Sequence, residues 1–120
     1  MATDKSPSPL EVRLDRAEKA IAKYCRDNVP SRLRRHLQHT IRRRGSTITL
    51  IEGRPHFADP EVWLKCPLAQ FRYDNRKDLW SLLWPDRNGK WYLSSRGHSP
   101  HVSSLIREID LNPPLGPIRR

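Results

Sequence analysis

Seven arginines stand between Ser31 and Arg54 against a single acid, Glu52, and this stretch holds six of the chain's ten net positive charges. Elsewhere the charges nearly cancel: six basic and five acidic groups in residues 1–30, seven and five in 55–100, three and two in 101–120. A guanidinium offers a planar fork of donors that matches phosphate oxygens and stays charged at every physiological pH. Charge concentrated in one stretch makes a basic face, and a basic face attracts polyanions. Arg34, Arg35, Arg42, Arg43, Arg44 and Arg54 are therefore the candidate phosphate contacts, with Arg72, Arg87 and Lys90 as extensions. The bland alternative is a solvated face that only keeps a small protein soluble, and an even scatter of charge would fit that better.

Other chemistry is sparse. A nuclease needs a carboxylate or a histidine where a phosphodiester can reach it. Glu52, the lone acid of the arginine stretch, and His39 are the weak candidates; Glu52 also has Arg42, Arg43 and Arg54 as ion-pair partners within a hairpin. His36 and His39 would face opposite ways along a strand, while His98 and His101 straddle a helix start. No Cys-x-x-Cys pair occurs and no acid stands at ligand spacing, so no metal site and no cofactor is expected. Asp74 and Asp86 lie in turn contexts. Cys25 and Cys66 are too few for a disulfide framework, and Cys25, near Ile21 and Tyr24 on one helix, fits a buried thiol. Of the aromatic residues, Phe71, Trp80 and Trp84 fit the core. One of Trp91 and Tyr92 is expected at the surface, and Trp63, in a connecting stretch, is the best candidate for an exposed ring.

The elements that must position these residues follow from period and punctuation. Ser8, Pro9 and Glu11 form a capping box, and Leu10, Leu14, Ala17, Ile21 and Tyr24 recur at helical spacing, so a helix runs from residue 8 to about Asn28, ahead of Pro30. After a short turn the period changes to two, although Leu33, Leu37 and Ile41, four apart, also allow a helix through Arg32–Arg44. Leu37, His39 and Ile41 alternate with polar neighbours, Gly45 suits a tight turn, and Thr47–Ile51 returns as a second strand, with Arg42 and Arg44 opposite Leu37 and Ile41. Residues 53–67, broken by Gly53, Pro55, Pro60 and Pro67, read as a long connection. Ala69–Tyr73, Leu79–Trp84 and Trp91–Leu93 then form a meander around Asp74–Asp78 and Asn88-Gly89. The Leu79–Trp84 strand is apolar on both faces, which predicts cover from both sides. Ser99 and Pro100 start a second helix with a stripe of Val102, Leu105, Ile106 and Ile109, closed by Pro113 and Pro114. The expected fold is α+β: an N-terminal helix, a five-stranded antiparallel meander sheet and a C-terminal helix. One domain spans 8–110 between a loose tail at 1–7 and an extended tail at 111–120.

The run Phe71-Arg72-Tyr73-Asp74, followed by Trp80-Ser81-Leu82-Leu83-Trp84 and Asp86-Arg87-Asn88-Gly89-Lys90-Trp91, resembles the signature of a small bacterial family catalogued only as a domain of unknown function. The likeness extends to Val29-Pro30 and to Arg44-Gly45-Ser46-Thr47-Ile48-Thr49-Leu50, covering about residues 12–110. It implies a bacterial source and brings no catalytic residues with it.

The function expected from these readings is nucleic-acid binding, DNA or RNA, through an arginine-rich β-hairpin and mainly through phosphate, with a two-stranded ribbon able to enter a major groove. The rivals are a small nuclease or toxin-like ribonuclease, and a protein-interaction module that meets an acidic partner through the 111–120 tail or the loop around Trp63. A homodimer through an open sheet edge is also compatible. No apolar run of signal-peptide or membrane-spanning length occurs, so the expected setting is cytoplasmic, with reduced thiols and no membrane partner.

Overall fold

A computed structural model describes residues 8–28 and 37–111 of the chain. Helix α1, Pro9–Asn28, begins at its predicted cap, with the Ser8 Oγ accepting the Glu11 N–H at 3.1 Å. Leu14, Ala17, Ile21 and Cys25 make its buried stripe. Five strands follow, β1 (Gln38–Arg44), β2 (Thr47–Pro55), β3 (Trp63–Asp74), β4 (Leu79–Pro85) and β5 (Trp91–Ser99), and then helix α2 (Val102–Leu111). All neighbours are antiparallel and the sheet order is β1-β2-β3-β4-β5, the expected meander between two helices. Among the described residues no helix is long and apolar enough to cross a membrane.

Turn chemistry sets the registers. Gly45 and Gly89 take φ of +59° and +80°, left-handed values that a side chain would strain. Asp86 Oδ1 accepts the Asn88 and Lys90 N–H groups at 2.8 Å, and Asp74 Oδ1 accepts those of Arg76 and Lys77, so both acids make turns as predicted. At Gly97 a Cβ would lie 2.7 Å from the Leu82 carbonyl oxygen and 2.9 Å from that of Ser94, which leaves room for glycine only. It marks the irregularity where β5 loses step with β4 between Ser81 and Leu83.

Two expectations are corrected. The stretch 53–67 is mostly strand: β2 runs to Pro55 and β3 begins at Trp63, leaving only residues 56–62 to connect them. The prolines misled because strands admit them at ends and irregularities. Pro55 ends β2, and Pro67 sits where Ile51 pairs with Pro67 directly after Leu50 pairs with Ala69, so Leu68 is the extra residue of a bulge. The second correction concerns cover. One core unites Leu14, Ala17, Ile21 and Cys25 of α1 and Leu105 and Ile109 of α2 with Ile48, Leu50, Phe71, Tyr73, Trp80, Leu82 and Trp84. Strand alternation puts those sheet residues on one face, so both helices lie on that face, and among the described residues no helix covers the other, which we call the open face. Leu83, 8% exposed, is buried on the open side and stands outside this core. Its register partners are Gln70 and Leu93, and it stands away from the core that the helices share.

Candidate nucleic-acid interface

Because side chains alternate along a strand, three consecutive arginines part company. In β1, exposure alternates from Gln38 to Arg44, with His39, Ile41 and Arg43 turned inward and Arg42 and Arg44 outward. Arg43 Nη1 donates to Asp15 Oδ1 at 2.5 Å and to Glu18 Oε1 at 3.2 Å, both on α1. Those two bonds, and then the carboxylate charges, make its guanidinium hold its proton more firmly than usual. Arg43 therefore fastens the helix to the edge strand and faces away from Arg42 and Arg44.

Arg42 and Arg44 stand on the open face. Register carries this face across the sheet in two rows: Arg42, Thr49, Gln70, Leu83, Leu93, and Arg44, Thr47, Arg72, Ser81, His98. Arg42, Arg44 and Arg72 surround a groove of about 420 Å³ whose remaining walls are Thr47, Thr49 and Gln70. Arg72 is held in place: its Nε donates to Gln70 Oε1 at 2.6 Å, and Gln70 Nε2 donates in turn to Thr49 Oγ1 at 3.1 Å. None of the three arginines has an acidic partner among the described residues. In β1 to β3, alternation places one carboxylate on this face, Asp74, and its Oδ1 is already engaged by two turn N–H groups. Three guanidinium groups around a neutral, hydroxyl- and amide-lined floor suit an anion with several oxygens.

The remaining predicted contacts scatter. Arg54 lies on the helix-side parity of β2, with its Nε 3.4 Å from Glu52 Oε2, which is the pairing expected for Glu52. Arg87 and Lys90 are exposed at the β4–β5 turn, and Arg34 and Arg35 lie outside the described residues, as does His36. The two weak nuclease candidates do come together: His39 Nε2 and Glu52 Oε1 are 3.0 Å apart. Their side chains are 2% and 4% exposed, however, and belong to the interior. Alternation within a hairpin explains why Glu52 meets His39, its register partner, and neither Arg42 nor Arg43.

Trp63 is also moved by the longer strands. It belongs to β3 and is half-buried, and a Cβ built on Gly53 would touch its Cε3 at 3.4 Å and the Gln38 Cβ at 4.0 Å. The indole thus lies over Gly53 on the open face, beside Lys65, the register partner of Gly53. The fully exposed ring is instead Phe57, 94% exposed in the β2–β3 turn and stacked on His56. Of the β5 pair, Tyr92 is the exposed residue. Ser81 Oγ and His98 Nδ1, 3.0 Å apart across β4 and β5, form a contact on this face that no local pattern announces, because register alone brings them together.

The thiols are unconnected with this face. Cys25 is buried, and loss of solvation pushes its pKa up to about 11 against a smaller opposing pull from Arg26. Cys66 is raised by partial burial and then by the Glu52 charge. Among the described residues no group of three or more His, Cys, Asp or Glu could hold a metal ion.

No match to this chain is found among curated proteins or among solved structures. Residues 9–114, nearly the whole described fold, match one family, so the chain belongs to the family described as a domain of unknown function, DUF3024.

Proposed function

We propose that the protein binds nucleic acid on the open face of its sheet, with Arg42, Arg44 and Arg72 as the phosphate contacts. The observation that carries this reading is the groove itself: three guanidinium groups with no acidic partner among the described residues, converging from β1 and β3 on a floor of Thr47, Thr49 and Gln70. On the helix-covered side Arg43 and Arg54, and Arg13 of α1, lie within ion-pair distance of a carboxylate. Leaving like charges together without counter-charges is unfavourable in the free protein, and a bound polyanion relieves it. The net charge of +10 adds a long-range attraction toward such a ligand.

Binding by this face is mainly phosphate neutralisation, so affinity falls steeply with salt. Each phosphate contact contributes about 0.7 to 0.9 to the slope of log affinity against log salt. Substituting Arg42, Arg44 and Arg72 together by Ala is expected to reduce that slope by about 2 to 3 and to abolish binding at moderate salt. Fluorescence anisotropy with labelled oligonucleotides over a salt series measures this directly. An unchanged slope in the triple variant removes the groove from the binding reading.

A further inference from the structure

The shape of the basic face restricts which form of nucleic acid it takes. A free two-stranded ribbon fits a DNA major groove about 12 Å wide. Here β2 is hydrogen-bonded to β3 from Thr47 to Pro55, so the β1–β2 hairpin is the margin of a five-stranded sheet. At ~4.8 Å per strand the sheet spans ~19 Å between its outer strands, too wide to enter that groove. A duplex can therefore only lie across the arginines and offer them phosphates. An unpaired strand can lie along the sheet and offer bases as well.

The open face has a place for those bases. From the Arg44–Thr47 pair it continues along the β1–β2 hairpin through Arg42–Thr49 and Thr40–Ile51 to Gln38–Gly53, where the edge of the Trp63 indole reaches the glycine and Lys65 stands opposite it. The arginine groove and Trp63 are thus separated along β2 by the four residue steps from Thr49 to Gly53, ~13 Å of strand. Gly53 matters here because a Cβ there would lie 3.4 Å from the Trp63 Cε3, so the glycine leaves room for the edge of an indole that is itself only half-buried. Every base presents a π-face, and an indole accepts one without regard to sequence. Arginines without carboxylates at one end of a track and a tryptophan with a lysine at the other match the alternation of phosphate and base in a single strand.

We infer that the ligand is single-stranded nucleic acid lying along the β2 track, with phosphates in the Arg42–Arg44–Arg72 groove and a base stacked on Trp63. This rests on the basic-face reading above and adds the strandedness and the stacking residue. The test compares labelled oligo(dT) and oligo(U) single strands, a blunt DNA duplex of equal length and inorganic polyphosphate, each titrated with the wild-type chain and with Trp63→Leu and Trp63→Phe. Leu keeps an apolar cover over Gly53 and Phe keeps a ring, so circular dichroism of both variants verifies the fold.

The expected result is tighter binding of single strands than of duplex. Trp63→Leu should weaken the single strands about 10-fold and leave polyphosphate unchanged, and Trp63→Phe should recover most of the loss. Equal affinity for single strand and duplex together with an indifferent Trp63→Leu overturns the inference and leaves the basic face standing. Failure of the wild type to bind any of the polymers at low salt overturns both. A Trp63→Leu variant that weakens polyphosphate as much as oligo(dT) also overturns it, since the loss would then be structural.

Discussion

The two faces of this one sheet treat charge in opposite ways. Toward the helices, charge is matched: Arg43 bridges Asp15 and Glu18, Arg13 meets Asp78 at 3.0 Å and lies over the Tyr73 ring, and His39 meets Glu52 in the interior. Toward solvent, Arg42, Arg44 and Arg72 share a groove whose other walls are neutral, with Gln70 and Thr49 positioning the last of them. Arg42, Arg43 and Arg44 are consecutive, yet the middle one is structural and its neighbours belong to the open face. Charge composition in a strand thus has no single meaning, because each step along the chain changes sides.

The sharpest way to break the comparison is to ask which face carries the stability. Phe71, fully buried on the helix side, touches the core from the middle strand β3. Phe71→Ala is expected to cost about 3–5 kcal/mol through lost burial and a residual cavity. Arg42→Ala or Arg44→Ala, on the open face, should stay within about 0.5 kcal/mol. Urea unfolding at matched conditions separates them by midpoint, provided the slope is unchanged. A loss of several kcal/mol at Arg42 or Arg44 would mean that the open face is part of the fold's support and not a surface left for a ligand.

The buried His39–Glu52 pair sharpens it further. Glu52→Ala removes the carboxylate that meets the imidazole at 3.0 Å, a loss of about 1–3 kcal/mol. Glu52→Gln keeps an acceptor at the same place and should restore much of that stability. Neither change is expected to alter oligonucleotide affinity by more than about twofold, because Glu52 is turned to the helix side of β2. If Glu52→Gln folds normally and abolishes binding or a nucleic-acid cleavage activity, the division between the faces is wrong and the interior pair belongs to the function.

What was legible in the sequence follows from how local its causes are. The Ser8–Glu11 cap, Gly45 and Asn88-Gly89 act within a few residues, and α1, the β1–β2 turn and the starts of β2 and β5 stand where the pattern predicted, although β2 and β5 run on to Pro55 and Ser99. The α+β class and the five-strand meander followed from those signals. The β2–β3 arm was hidden because Pro55 and Pro67 ordinarily break strands; only the register shift at Leu50 and Ile51 shows how Pro67 is accommodated. The side of the sheet that the helices cover was also hidden. Leu83 looked as if it needed a helix, yet it is buried on the face away from the core that both helices share. For the site, alternation already put Arg42 and Arg44 together and grouped Gln70 with Arg72. That these two pairs share one groove depends on the pairing of β2 with β3, which no local signal encodes. The same limit hid the Ser81–His98 contact and the engagement of Arg43 by α1.

The smallest effect is the most discriminating, since it compares adjacent residues of one strand. Arg43 is about one quarter exposed and its two carboxylate partners more so, so solvent screens the network and Arg43→Ala should cost only about 1 kcal/mol. Arg44→Ala, one residue away, should cost less than half of that in stability and several-fold in affinity for a single strand at low salt. Raising the salt should shrink both effects, although the affinity effect has the steeper dependence, because it reflects release of counterions from the polymer and not a single screened pair. The two single variants and the double variant, each measured for urea midpoint and oligonucleotide affinity, form a cycle in which the losses add if the faces act independently. Non-additive affinity would show that the hold of α1 on Arg43 sets the position of the arginines beside it. Helix docking and ligand binding would then be coupled through the backbone of β1.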